Sequence, residues 1–312
     1  MYKSEGTNLN LRYQNNTIIA DSLFGIKYNL SNFDLNKYGF NQVTSEKTMG
    51  LYQNNNASQL AILTDGIYKN IDFTVNTLDN QTSLLNALSG LNLTYFKRAP
   101  SQLFDQDAKS LNQRVAKNVS NSNKDFVTIT YRVIAPPHSQ LYVSIPNISW
   151  SDDNNHSLSI TVNGVTKNQV TDNTFDFFDL GYFETEEAIT INLNFPGNKA
   201  ISFDNPSFYA LDTQNYQIAM NTINERDSKV TTSNNKVFVD YSSKTNASLF
   251  FTIPYDKGWT ATINHKKVKI QRAQKGFMKV DVPSGKGKVV LTFIPYGLKT
   301  GLLISLLASI IF

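Results

Sequence analysis

The sequence predicts a mainly β chain of the α+β class: a small N-terminal α/β unit, short helices, then two β-sandwich modules leading into a truncated transmembrane helix. Three observations predict it. Short apolar runs with period-two alternation recur from residue 125 to residue 293, divided by turn residues at regular spacing. Helical spacing of leucines is confined to the stretch before them. Residues 301–312 carry no charge at all. The predicted divisions are an α/β module over 1–78, a helical connector over 79–124, a sandwich over 125–212, a second sandwich over 213–298, and the start of the C-terminal transmembrane helix over 299–312.

In chain order, SLFGIKYNLS (22–31) reads as a strand with Ile26, Tyr28 and Leu30 in alternation. Asn41-Gln42-Val43 follows a Tyr38-Gly39-Phe40 turn, and Gly50-Leu51-Tyr52 is expected to pair with Leu60-Ala61-Ile62-Leu63. Asn80 or Thr82 can cap a helix in which Leu84, Leu85 and Leu88 share a face, and Gly90 closes it. Pro100-Ser101 starts a second amphipathic helix, with Leu103, Phe104, Ala108, Leu111 and Val115 at helical spacing. The polar run 117–124 marks a boundary. Beyond it DFVTITYRVI, QLYVSIPNISW, SLSITVNGVTKN, FDFFDLGYF and AITINLNF are strands of sandwich length, and ITVNG (160–164) ends in an Asn-Gly hairpin turn. Their order is jelly-roll-like, as in carbohydrate-binding modules, an analogy of fold rather than of site. KVFVDYSS and SLFFTIP join the C-terminal stretch as the second sandwich.

Composition excludes several chemistries. There is no Cys among the 312 residues, which removes disulfides, thiol catalysis and thiolate zinc sites, and three scattered His are no substitute. No GxSxG, HExxH or Gly-rich phosphate loop occurs, so no catalytic residue, metal or cofactor is assigned, and nothing points to nucleic acid. Asp105-Gln106-Asp107 spells the DxD of nucleotide-sugar enzymes, but on the expected helix its carboxylates point apart. The loop Trp150-Ser151-Asp152-Asp153-Asn154-Asn155 offers a ring for the C–H face of a sugar, with Asp152, Asp153 and Asn155 for its hydroxyls. The same Trp150 can equally be a core lid over a polar turn. A disulfide-free, Asn- and Lys-rich surface domain fits a Gram-positive exterior. Met1-Tyr2-Lys3-Ser4-Glu5 leads straight into polar sequence, so the chain reads as an excised piece of a longer one.

Charge is unevenly placed. Residues 255–312 hold ten Lys or Arg against two acids, a net +8, whereas the remainder is net −4. Trp259, Ala261 and Ile263, then Val268 and Ile270, then Met278, Val280 and Val282 alternate as three half-buried strands separated by Asn264-His265, Gly276 and Pro283-Ser284-Gly285. Lys267, Lys269 and Lys279 therefore fall on the opposite, outward face, with Lys266 beside the turn. This is either an ordinary solvated lysine face or a polyanion-binding one. The apolar end that follows is either a buried terminal helix or strand, or a transmembrane helix, of which twelve residues would rise only about 18 Å.

This stretch, GWTATINHKKVKIQRAQKGFMKVDVPSGKGKVVLTFIPYGLKTGLLIS, resembles the C-terminal end of YfhO-like bacterial membrane proteins. Gly258, Trp259, Asn264, Lys266, Gly276, Phe277, Pro283, Gly285, Pro295, Gly297 and Gly301 match that family's hairpin module and the lead into its last transmembrane helix. SLFGIKYNLS and, more loosely, LYQNNNASQLAILTD match motifs near the family's domain start. His265 stands where the family's turn has Gly, and Gly287 where it often has His. The resemblance implies a polytopic parent similar to membrane glycosyltransferases that use lipid-phosphate sugars and decorate lipoteichoic or wall teichoic acid. This segment would be its extracytoplasmic accessory domain, non-catalytic, with the anionic glycopolymer, the membrane surface and the rest of its own chain as partners. The alternative is a carbohydrate- or wall-binding adhesion module of a surface protein.

Overall fold

The computed structural model describes residues 2–4, 11–13, 17–106, 109–112, 115–117, 126–150, 156–171, 177–196 and 201–311. The chain forms two compact units that interleave in sequence: Met1–Asp21, Lys27–Asn55 and Thr94–Gln217 make the first, and Ser22–Ile26, Asn56–Leu93 and Ile218–Phe312 the second.

The first unit is an antiparallel sandwich. Its larger sheet runs Val165–Thr171, His156–Val162, Glu187–Pro196, Phe126–Ala135, Ser101–Gln106. Its smaller sheet runs Phe177–Phe183, Ser139–Ser144, Ser207–Asp212, Phe96–Arg98. Alternate residues point inward, as the pleat requires: Ile189, Ile191, Leu193 and Phe195 from one strand meet Leu141, Val143, Phe178 and Phe208 from the other sheet in one buried cluster. The expected Asn-Gly hairpin is present, with Asn163 and Gly164 at φ 46° and 86° between paired strands. The smaller sheet is buried on both faces. On its outer face Tyr142 stacks on Phe177 at 5.2 Å, its hydroxyl accepts from Ile18 N at 3.0 Å, and Gln140 Oε1 accepts from Tyr38 N at 2.8 Å.

Three expectations fail in the chain up to residue 117. The stretch after Pro100 is not a helix: Ser101–Gln106, Lys109–Asn112 and Val115–Lys117 are strands. Leu103 and Phe104 form no apolar stripe; both are exposed, and Phe104 lies under the Arg132 guanidinium at 3.8 Å. Pairing with Phe126–Ala135 satisfies the backbone and overrides the spacing. Asp105 and Gln106 accordingly sit on an edge strand. Residues 22–31 are not one strand either; the helix Ile18–Leu23 comes first and only Tyr28–Ser31 is extended. Met49–Asn54 pairs with that strand and with Phe40–Glu46, not with the residues around Ile62.

The second unit stacks the sheet Ser228–Ser233, Lys236–Ser243, Gly285–Phe293, Trp259–Ile263, Lys266–Val268 on the sheet Gln271–Ala273, Phe277–Val282, Ala247–Phe251, Ala61–Leu63. Val239, Ala261 and Leu291 from the first meet Leu249, Met278 and Val280 from the second. The helix Thr77–Ser89 forms as expected, with Leu84, Leu85 and Leu88 buried and Gly90 at φ 77° as its C-cap, although Asn76 rather than Asn80 or Thr82 is the N-cap. The C-terminal helix is Leu298–Ile311. Its side chains are exposed all round, so it is no part of the core. Among the described residues no helix is long and apolar enough to cross a membrane.

Candidate functional site

In the first unit a cleft of about 300 Å³ opens beside the strand Phe177–Phe183. That strand carries a bulge: Leu141 pairs with Gly181 and Tyr142 with Asp179, leaving Leu180 over. Gly181 sits at φ +115°, where a side chain would be strained and a Cβ would meet the Asn36 amide at 2.9 Å. Asp179 stands between the core residues Phe178 and Leu180, so the pleat itself turns it off the core face and into the cleft wall. Its Oδ1 accepts from Gln140 Nε2 at 2.7 Å and from Gly181 N at 2.8 Å. Its Oδ2 has no hydrogen-bond partner and no solvent of its own, although the residue as a whole keeps some accessible surface. Burial pushes the Asp179 carboxyl above the usual carboxylate range, against the opposing pull of Lys37, Lys167 and the two hydrogen bonds. Lys37 is itself buried and paired with Asp21. Lys167, which also lines the cleft, lies 5.2 Å from the ring centre of the partly exposed Phe33.

The sequence reading missed this site. Its signal was an acid and a glycine inside an aromatic strand, FDFFDLGYF, where either one argues against a plain core strand.

In the second unit Lys267 and Lys269 are exposed, as their alternation requires, and so is Lys266 beside the turn. Lys279 is not on that face. It is 8% exposed, and its Nζ donates to Tyr68 O at 2.8 Å and Asp281 Oδ1 at 3.0 Å. The reason is a second layer: the segment around Tyr68 covers the outer side of this sheet, with its ring 5.0 Å from Phe250 and its N–H on Ser248 Oγ. Alternation then selects between two buried faces rather than between core and water. Asp281 is also held by Ser248 and Gln271; burial raises its carboxyl, and these hydrogen bonds together with Lys279 outweigh it and bring it below the usual range.

Lys267 also borders a shallow cleft of about 230 Å³ with Lys257, Tyr255 and Trp259. Trp259 is a core-edge residue, 4.9 Å from Phe293. Register places Trp259 opposite Phe293 and Ala261 opposite Val268, so Lys257 and Lys269 lie at the end of the sheet from which the C-terminal helix departs. There Tyr296 is 82% exposed, with the Lys257 ammonium 5.9 Å from its ring.

Of the Trp150 loop, only the backbone of Ser149–Trp150 is placed, paired with Ile201 and Ser202. Asp152, Asp153, Asn155 and the Trp150 side chain lie outside the described residues. The structure therefore brings together Lys266, Lys267 and Lys269, and separates Lys279 from them.

Comparison with known proteins gives one close family and several distant shapes. The uncharacterized protein YfhO of Bacillus subtilis strain 168 is 29% identical over 106 residues, which are 33% of this chain and 12% of that protein. The chain thus matches only a small part of that relative's length. A cycloisomaltooligosaccharide glucanotransferase of a Paenibacillus species shares 6% identity over 64% of this chain and 46% of its own, with a TM-score of 0.25. A conserved protein of unknown function from Pseudomonas aeruginosa PAO1 covers 64% of this chain and 92% of its own at 9% identity and a TM-score of 0.19. Shape similarity this low supports no argument. The family comparison does, because the match to bacterial membrane protein YfhO runs over residues 1–305, and the chain therefore belongs to the YfhO family.

Proposed function

We propose that this chain is an extracytoplasmic accessory domain of a membrane glycosyltransferase that decorates lipoteichoic acid, wall teichoic acid or a related glycopolymer on a Gram-positive surface. In this reading the second unit holds the anionic acceptor beside the bilayer, and the sugar-transfer chemistry belongs to the membrane part of the parent protein.

One observation carries the proposal: in a family of membrane proteins, one unit presents both an exposed apolar helix and an exposed cationic sheet edge, whose Lys269 lies toward the helix end of the sheet and whose Lys266 and Lys267 run toward the Asn264-His265 turn. The helix Leu298–Ile311 leaves Leu302, Leu303, Ile304, Leu306 and Ile310 in water at half or more of their surface. Apolar area left exposed on this scale is stabilised by a lipid phase or a partner. Tyr296, Lys257 and Lys299 at its start are the residue types that anchor a helix at the headgroup level. Lys266, Lys267 and Lys269 lie on the edge strand and its continuation; each contributes up to about 1 kcal/mol near an anionic surface, within a screening length of about 8 Å.

Titration of lipoteichoic acid into the chain at low and high salt tests this. Binding is expected to be weak and salt-sensitive, and to be lost when Lys267 and Lys269 are both changed to Glu. Affinity indifferent to salt and to the double charge reversal would remove the proposal.

A further inference from the structure

We infer that the outward face of the larger sheet of the first unit is a binding surface for a linear, uncharged polysaccharide, held by hydroxyl and amide side chains that the strand register sets in rows. The inference rests on that face alone, independently of the polymer-binding role given to the lysine edge of the second unit.

Alternation decides what this face carries. In Phe126–Ala135 the core takes Val127, Ile129 and Val133, and in Glu187–Pro196 it takes Ile189, Ile191, Leu193 and Phe195. The residues between them point the other way. In register, Thr130, Asn192, Thr161 and Thr166 make one row across four strands, and Thr128, Asn194 and Ser159 make the next. Each of these side chains is partly or fully exposed. They are also tied to one another. Thr128 Oγ1 donates to Asn194 Oδ1 at 2.9 Å, Asn194 Nδ2 donates to Thr161 Oγ1 at 3.3 Å, and the Thr161 and Thr166 hydroxyls bond at 2.8 Å. One hydrogen-bonded chain thus crosses four strands and holds its groups in place before a ligand arrives. The Asn194 amide keeps a second N–H, and the Thr166 hydroxyl keeps acceptor capacity.

The residue types point to the ligand. Asn is more depleted in strands than Lys or Glu, the usual choices for a face that meets only water. Yet Asn192 and Asn194 hold successive outward positions on the middle strand of five. Among the described residues the charge in these two rows is Asp105, on the edge strand opposite Thr130. Hydroxyls and amides without charge match the hydroxyls of a sugar and offer little to a phosphate or a metal ion. On the same face Phe104 is 56% exposed beside the Arg132 guanidinium, and apolar surface of this kind suits the C–H groups of a sugar ring. Four strands at a spacing of about 4.8 Å give the central row a length of about 14 Å, which suits several linked sugars rather than one.

Isothermal titration of the whole chain with chitohexaose, cellohexaose and maltohexaose, at low and high salt, tests this. Binding of at least one is expected, at an affinity that salt leaves unchanged, because screening acts on charges. Thr166→Lys and Thr190→Lys together replace two exposed hydroxyls by side chains with no acceptor, and should weaken binding about tenfold or more. Asn194→Ala, which cuts the hydrogen-bonded chain, should weaken it about threefold. Lys267→Glu with Lys269→Glu should leave it unchanged. No binding of any of the three sugars, or binding undiminished in both face variants, overturns the inference. Binding that high salt or the lysine reversal abolishes belongs to the second unit and overturns it as well. So does a dimer of the chain that the Thr166→Lys, Thr190→Lys pair dissolves, since the face would then meet a second copy. The probes carry no charge, so failure here leaves the role of the lysine edge standing, and the reverse holds too.

Discussion

At the residue scale, backbone geometry and buried partners decide more than residue type. His265 is an example. It occupies the second position of the Asn264-His265 turn at φ 69°, a conformation that costs a side chain about 1 kcal/mol and costs Gly nothing. His265→Gly should therefore raise stability by about 1 kcal/mol, read as a higher urea midpoint at unchanged slope. The Lys279–Asp281 pair makes a second prediction. Asp281 is held below the ordinary carboxylate pKa in the folded chain, so the stability it contributes is complete above the unfolded value of about 3.9. That contribution is lost as pH falls through the lower folded value. Melting temperatures between about pH 5 and pH 2 should drop less steeply for Asp281→Asn than for the parent chain. Lys279→Met should cost about 2 kcal/mol at neutral pH, because Tyr68 O loses its donor; a change under half that would contradict the buried assignment. Neither the burial of Lys279 nor the cleft beside Asp179 was legible from period-two alternation. That pattern distinguishes one face from the other and is silent when both faces are covered.

At the element scale the sequence was readable wherever a local device fixes the structure. Gly90 in the left-handed region stops the helix Thr77–Ser89, and Asn163-Gly164 folds its hairpin. It was misread where a non-local partner decides, as at Ser101–Gln106, whose helix-like spacing yields to ladder bonds with Phe126–Ala135. Non-local support also holds the Thr77–Ser89 helix end. The Arg226 guanidinium donates to the carbonyls of Leu63 at 2.7 Å and Leu88 at 2.6 Å, and to that of Ser89. Arg226→Met should cost about 2–4 kcal/mol, because it orphans several part-buried carbonyls at once; loss of less than 1 kcal/mol would assign them to water instead. The C-terminal helix behaves oppositely. Removing residues 298–311 should shift the melting temperature by no more than about 2 °C while abolishing recruitment to vesicles, since its side chains pack on nothing. A larger fall would make the helix part of the core.

At the scale of the whole molecule, β content, sandwich class and the polarity of the C-terminal end follow from pattern and charge count. The pairing of strands does not. Ala61–Leu63 pairs with Ala247–Phe251, far along the chain, and no periodicity names such a partner. The basic face was legible because its charge is unbalanced over 255–312, whereas the cleft at Asp179 is assembled from residues scattered between Asn29 and Asp179. We propose that the lysine edge of the second unit is the surface that meets the anionic polymer. Hydrogen exchange of the chain, followed with and without lipoteichoic acid at low salt, measures this most directly. Protection is expected in the peptides spanning residues 255–270, and should disappear at high salt. Protection confined to the first unit, or none at either salt concentration, would contradict the claim.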